Sequence, residues 1–442
     1  MRVCIVGAGD GGAIAALQAR RVEPNCEVKV FSKRQELGCP PCEMPLVLGG
    51  RIARWEELVR GLRSPSFYEK RQIEIHTGTA VTDVLREEKV LVAAGVRYRY
   101  DKLILALGGT PSVPRFPSMD GQREFVLSTD MADGVALDRA IGQHGRAAII
   151  GGGSIGLELA EALRLRGYEE VHLLVRRDVL RAQLDDDMSQ TVRDVLSSNG
   201  VQVRCPVSIK GMWTTEHGKR VRLEDDELEA GFVFFATGSR PNVELALNAG
   251  LVVGESGGIA VNGYLQTSDP DIYAAGDCME NWDTVTGSRR LVQLCTNAIR
   301  NGYIAGRNAA GGNSFHYAGS VMPFVTQVFG HQIGSVGLTE REAQERGLEV
   351  VSVGVTTPRL RRRFDGRPAH YKLVADRRRG TLVGAQVISE EIVSGTVDKL
   401  AVGISAHMPL DRLVQVDSCY SPHVQEDQVA VPLQRLLGEL GR

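Results

Sequence analysis

Short apolar runs along the chain are followed by glycine-rich turns and then by stretches of helical composition. The run Arg2–Val6 is apolar, residues 13–21 have helical composition, and residues 26–31 are apolar and β-branched again. The unit recurs in mid-chain. Residues 147–150 predict a strand, 155–166 a helix and 171–175 the next strand. Two strand–helix–strand units this far apart predict two doubly wound α/β domains with parallel sheets. From residue 317 the texture changes. Residues 324–329, 350–356, 371–375 and 382–388 predict strands. Residues 393–406 predict a helix that contains Gly395 and Gly403, so an α+β domain follows both α/β units. Residues 359–363 form a basic loop within it.

Composition adds limits. The 442 residues are 43% apolar and 24% charged, a globular balance with room for several domains. The net charge of −2 gives no bulk attraction to nucleic acid or acidic membranes. No apolar run reaches the length that crosses a bilayer. The N-terminus enters a strand directly, without a basic stretch or cleavage site, which predicts a cytoplasmic protein. In that compartment the eight cysteines do not form a disulfide framework. Most read as small buried hydrophobes; Cys39 and Cys42 stand apart.

Two glycine patterns carry the first chemistry. Gly7-Ala8-Gly9-Asp10-Gly11-Gly12 and Gly151-Gly152-Gly153-Ser154-Ile155-Gly156 each join a strand to a helix. In each, the first glycine (Gly7, Gly151) permits the tight turn. The second (Gly9, Gly153) lets the backbone approach a pyrophosphate. The last (Gly12, Gly156) lets helix and strand pack closely. The helix N-terminus adds N–H donors and the positive end of its dipole. An acid at the end of the following strand normally bonds the ribose. In the first unit that strand ends Ser32-Lys33, with Ser32 about where the acid is expected. In the second it ends Val175-Arg176-Arg177, with the acid replaced and two arginines suited to a 2′-phosphate. This predicts NADPH preference with NADH left open; a solvated basic turn is the alternative.

Further segments carry a family resemblance. The stretch from Tyr100 through Ala106 and Gly108 to Pro111, the stretch Ala236-Thr237-Gly238-Ser239-Arg240-Pro241-Asn242, and Ile272-Tyr273-Ala274-Ala275-Gly276-Asp277 occur in order. Together with the two loops they resemble the pyridine nucleotide-disulfide oxidoreductases, over almost the whole chain. The resemblance implies an FAD domain in two parts, residues 1–112 and 243–315, around an NAD(P) domain at 113–242, and a C-terminal dimerisation domain at 316–442. It implies FAD with Asp277 on the ribityl chain, a nicotinamide cofactor, and a homodimer. The segment Cys42-Glu43-Met44-Pro45-Leu46-Val47-Leu48-Gly49-Gly50 is similar to the branch of coenzyme A-disulfide reductases, NADH oxidases and NADH peroxidases. So are residues 67–73, Arg20-Arg21, and Asp417-Ser418-Cys419-Tyr420-Ser421-Pro422.

In that branch a flavin takes hydride on one face and a cysteine takes electrons on the other. Cys42 is the expected redox thiol, attacking a small-molecule disulfide, persulfide or polysulfide as its thiolate. Cys39 completes Cys39-Pro40-Pro41-Cys42. It reads either as the partner in an internal disulfide or as a bystander while Cys42 cycles alone. Tyr420 resembles a tyrosine that reaches the partner subunit's site as proton donor. A second family tyrosine is replaced by Phe364, and His423 follows closely. Cys419 reads as a packed core cysteine or a resolving thiol. Arg20, Arg21 and Arg71 suit the phosphates of coenzyme A. Glu158 resembles a residue near the nicotinamide, with an ordinary first-turn acid as its alternative. The expected function is FAD-dependent NAD(P)H reduction of a coenzyme A-linked disulfide or persulfide. Reduction of oxygen or peroxide, or electron transfer to a partner enzyme, are the alternatives.

Overall fold

The runs of β-branched and apolar residues form three five-stranded sheets in the computed structural model, which describes residues 1–59, 61–142, 145–357, 366–419 and 429–441. The first sheet is parallel. Its order is Ile272–Ala274, Lys102–Leu105, Arg2–Val6, Glu27–Phe31 and Glu74–His76. Its outermost strand returns from far along the chain. The second sheet is also parallel, in the order Val201–Arg204, Glu170–Leu174, Arg146–Ile150, Phe232–Phe235 and Glu124–Phe125. Helices cover both sheets, so the central strands are buried on both faces and read as continuous apolar runs. An antiparallel flap is attached to each nucleotide unit: residues 81–99 for the first and 209–230 for the second.

The chain passes between these units twice. The two passages, Gly109–Pro111 and Ser239–Pro241, pair with each other as a short antiparallel ribbon. Asn242 locks it, its Nδ2 donating to the Leu107 carbonyl at 2.9 Å and its Oδ1 accepting from Thr110 Oγ1 at 2.7 Å.

The third sheet is antiparallel. It runs Phe324–Val328, His331–Gly337, Thr381–Ser389, Ala369–Asp376 and Val350–Thr357. The four strands and the helix expected after residue 317 are all present, the helix as Ser394–Ser405. His331–Gly337 is an additional strand. The fold is therefore α/β with two parallel sheets and a C-terminal antiparallel domain.

Two helices position the site. Asp10–Val22 follows the first glycine loop and lies against Cys295–Gly311. A Cβ at Gly302 would overlap the Gly11 carbonyl, and one at Gly306 the Ala15 carbonyl, so only glycine permits this approach. The close packing sets Cys295 beside Asp10. Among the described residues no helix is long and apolar enough to cross a membrane.

Candidate active site

The two glycine loops have the same geometry. Gly7 has φ +111° and Gly151 φ +114°, a region that side chains avoid. Any Cβ there would strike the carbonyl of Ala106 or Ala236, and a Cβ at Gly12 or Gly156 would strike its own loop. Space beside Gly9 is open, and Gly153 has only one distant carbonyl nearby. Each loop thus leaves room for a phosphate at a helix N-terminus. Gly108 and Gly238, both with positive φ and open space, mark where the paired crossings leave the sheets.

The residues present fit a flavin. Asp277 sits on the turn Gly276–Cys278, and no donor reaches its carboxylate among the described residues. Burial and the nearby Asp10 push it up to about 6. A ribityl hydroxyl would supply the missing donor. Ser32 is buried at the end of its strand and its Oγ accepts from Arg34 N at 3.3 Å, while Lys33 points into solvent. In the second unit Arg176 and Arg177 are exposed, and no carboxylate pairs with either among the described residues. Asp178, the acid beside them, is ion-paired with Arg193. The basic turn is therefore open to a 2′-phosphate.

The Cys39–Cys42 loop separates its two thiols. Cys39 has no exposed surface and packs among Met44, Leu48 and Leu137. Burial pushes it up to about 11. Cys42 is exposed, and both are free thiols. Surrounding protein atoms, then Glu43 and Glu158, raise the Cys42 thiol above its ordinary value, with Arg63 acting the other way. The short helix Met44–Leu48 begins just after it, with Pro45 in its first turn. That helix packs against Ser154–Leu165, where a Cβ on Gly49 would touch Ala162.

Between these helices lies a cavity of about 220 Å³ lined by Cys42, Leu46, Arg51, Glu158, Glu161 and Gln327, among others. Arg51 pairs with Glu161 at 2.5 Å across it. Glu158 therefore stands in a cavity shared with Cys42. Its Oε1 accepts from Thr326 Oγ1 at 2.5 Å, and its Oε2 is buried without a partner among the described residues. Burial raises its carboxyl above the usual range.

A second cluster was not expected from the sequence. Arg63 Nη2 donates to both oxygens of Asp10, at 2.8 and 2.9 Å, and the Cys295 thiol donates to Asp10 Oδ2 at 3.1 Å. Cys295 is exposed, unlike the buried Cys4, Cys26 and Cys278; the surrounding protein atoms, then Asp10, push it up to about 12. Asp10 lay inside a recognised motif and could have been singled out. Arg63 sits in an irregular stretch with no pattern around it.

The arginines assigned to substrate phosphates do not converge on Cys42. Arg20 donates to the carbonyls of Pro24, Cys26 and Gln72, which ties its helix to the next segments. Arg71 donates to the Phe67 carbonyl and covers the Phe67 ring at 4.1 Å. Arg21 is exposed at the helix end. Cys419 is exposed, not packed in a core. Tyr420, Phe364 and His423 lie outside the described residues.

A dinucleotide loop on each parallel sheet, an exposed thiol between them and an antiparallel C-terminal domain define a nicotinamide-dependent flavoprotein oxidoreductase. The chain belongs to the pyridine nucleotide-disulphide oxidoreductase family: that family's model matches residues 1–302, and its dimerisation domain matches residues 324–431. The family implies FAD and NAD(P)H, and the dimerisation domain supports a homodimer. The chain is 31% identical to a Methanocaldococcus jannaschii NADH oxidase over 96% of its own length and 95% of that protein's. It is also 31% identical to the Pyrococcus horikoshii NAD(P)H coenzyme A polysulfide/persulfide reductase, covering 95% of this chain and 94% of that one. Its fold matches an engineered water-forming NADPH oxidase bound to NADPH, a mutant of a Lactobacillus brevis enzyme. The TM-score is 0.93 at 26% identity, over 100% of this chain and 99% of that one.

Proposed function

We propose that this oxidoreductase uses NADPH in preference to NADH to reduce a disulfide, persulfide or polysulfide through Cys42 alone, with coenzyme A-linked acceptors the first to test. One observation carries the reading: Cys42 is exposed in a cavity large enough for a sulfur-bearing chain, while Cys39 is sealed in the core. A lone accessible thiol forms a mixed disulfide with its acceptor, whereas an internal disulfide needs both sulfurs to meet. FAD, when bound, supplies the electron pair from the nicotinamide to Cys42. The chain's own part is to hold that thiol at the mouth of the cavity, on a loop braced by the helix Met44–Leu48. The persulfide reductase among the relatives supports the acceptor class, and the NADH oxidase among them makes oxygen the competing acceptor.

The nucleotide preference rests on the exposed pair Arg176 and Arg177. The substitutions that distinguish the engineered NADPH oxidase include aspartate to alanine, followed at the next position by alanine to arginine. This is the same kind of change that separates Val175-Arg176 from an acid-bearing strand end.

The test is an anaerobic acceptor screen with NADPH on wild type, Cys42→Ser and Cys39→Ser. The expected result is disulfide or persulfide reduction lost by roughly a thousandfold or more in Cys42→Ser. Cys39→Ser should stay within about threefold of wild type. Rapid oxygen consumption to water, with no turnover of any disulfide or persulfide, would overturn the acceptor reading. Equal loss in both variants would overturn the single-thiol reading.

A further inference from the structure

The turn that carries Arg176 and Arg177 is fixed along its backbone and free at its two guanidiniums. The Leu180 N–H donates to the Gly152 carbonyl at 2.8 Å, which ties the turn to the second glycine loop. Ser189 Oγ donates to the Val179 carbonyl at 2.8 Å, and the Cys205 thiol donates to the Arg177 carbonyl at 2.6 Å. Both arginine side chains stand in solvent. A turn held in one conformation before the nucleotide arrives loses less entropy on binding. The acid inside it is out of place. Asp178 directly follows the two arginines. A free carboxylate there would repel a 2′-phosphate and compete for the guanidiniums that bind it.

That carboxylate is turned away. Asp178 Oδ1 accepts from the Val179 N–H at 2.7 Å and from Arg193 Nη1. Arg193 lies on the helix Asp186–Ser198, and its Nη2 donates to Gln190 Oε1 one turn earlier, which steadies the guanidinium. The Asp178 side chain is 10% exposed and that of Arg193 22%, so solvent screens this pair less than a surface pair. The other cations bordering the turn are engaged elsewhere. Arg181 faces Asp186 at 3.5 Å, and Arg204 pairs with Asp226 at 2.5 Å. Among the described residues Arg193 is the cation that neutralises Asp178.

We propose that Arg193 is a specificity-determining positioning residue for the nucleotide: it holds Asp178 away from the open side of the turn and so leaves both arginines to a 2′-phosphate. The proposal rests on the NADPH preference proposed above. Arg193 does not itself touch the nucleotide. It acts through the acid it neutralises, so its influence is confined to ligands that carry the 2′-phosphate. A nucleotide with a free 2′-hydroxyl brings no charge to that corner and gains nothing from the pair.

The test uses FAD-loaded enzyme and two ligands that differ only in the 2′-phosphate, adenosine 2′,5′-bisphosphate and adenosine 5′-monophosphate. Binding is measured by calorimetry, without turnover. Wild type should bind the bisphosphate tighter by about tenfold or more. In Arg193→Ala that margin should shrink by about fivefold, with the monophosphate held within about twofold, because an uncompensated carboxylate now stands beside the phosphate. Arg193→Lys keeps the charge and should retain most of the margin. In the double variant Arg193→Ala with Asp178→Asn the margin should return to within about twofold of wild type. Asparagine still accepts from the Val179 N–H and carries no charge. In turnover the KM for NADPH should follow the same order, while kcat and the KM for NADH stay level. If wild type prefers the bisphosphate and Arg193→Ala keeps the full margin, the role of Arg193 is overturned and the NADPH preference stands. Equal weakening of both ligands, or a double variant that fails to recover, would also overturn it, since either marks a turn that has lost its shape. A wild type that binds the two ligands equally overturns the NADPH preference, and this proposal with it.

Discussion

Arg176 and Arg177 end a buried strand and stand free in solvent, while the neighbouring acid Asp178 is spent on Arg193. Two guanidinium contacts to a 2′-phosphate contribute about 1.5–3 kcal/mol each when charge-assisted, less where solvent screens them. Replacing both by alanine should raise the KM for NADPH by roughly tenfold to a hundredfold and leave that for NADH within about threefold. Steady-state kinetics with both nucleotides checks this; a parallel rise for both would place the arginines outside the phosphate site. The exposed place of these two residues was legible in the sequence because a motif fixes it relative to a glycine loop. Gly7, Gly12, Gly151 and Gly156 were legible for the same reason: their backbone demands leave no alternative residue. Asp10 and Cys295 were not, because they meet only after two helices close on each other across nearly three hundred residues. Arg20 misled in the opposite way. Its guanidinium, at a family-like position, suited a phosphate, but three carbonyls take the same donors.

The helix Cys295–Gly311 buries Asn297, Asn301 and Asn308 together with Gly302 and Gly306. Apart from Ile304 its core-facing side is polar or small, so no clear apolar periodicity marks a helix there. Asn297 and Asn308 are both partnered: Asn297 Nδ2 donates to Asn281 Oδ1 and Asn308 Nδ2 to the Phe315 carbonyl, each at 2.8 Å. The strand His331–Gly337 was missed for a related reason, since glycines and polar residues replace the β-branched run. Thr381–Ser389, buried along its whole length, was read correctly from its apolar run. In the flap of residues 209–230, Lys219 is fully buried between Asp120 at 2.6 Å and Glu124 at 2.5 Å. Lys219→Met leaves the buried Glu124 carboxylate without its cation, and such a loss costs about 3–5 kcal/mol. Urea denaturation should show that loss, and a midpoint within error of wild type would mean the pair contributes nothing net.

The C-terminal domain is fastened to the nucleotide unit by a buried polar latch. Asp185 N donates to Gln386 Oε1 at 2.8 Å, and Gln386 Nε2 returns a bond to Asp185 Oδ2 at 2.6 Å. The same latch brings Thr326 onto Glu158, so the domain matched to dimerisation also completes the cavity. Sedimentation should give a particle of about twice the 48.0 kDa chain, with a melting temperature that rises with protein concentration. A concentration-independent melt at the single-chain mass would contradict the homodimer. The strand–helix–strand units and the order of the segments were readable along the chain. How three distant stretches converge on Cys42 was not, because that geometry belongs to the assembled sheets.

The antiparallel ribbon of Gly109–Pro111 and Ser239–Pro241 brings both entry points of the nicotinamide unit to a single seam. Everything between them is a cassette with adjoining ends. A cassette of different nucleotide preference could be grafted at that seam, with the thiol loop and its carboxylate neighbour refitted only where the helices Met44–Leu48 and Ser154–Leu165 touch. The choice of electron source and the sulfur chemistry we propose would thus be separable by two cuts in the chain.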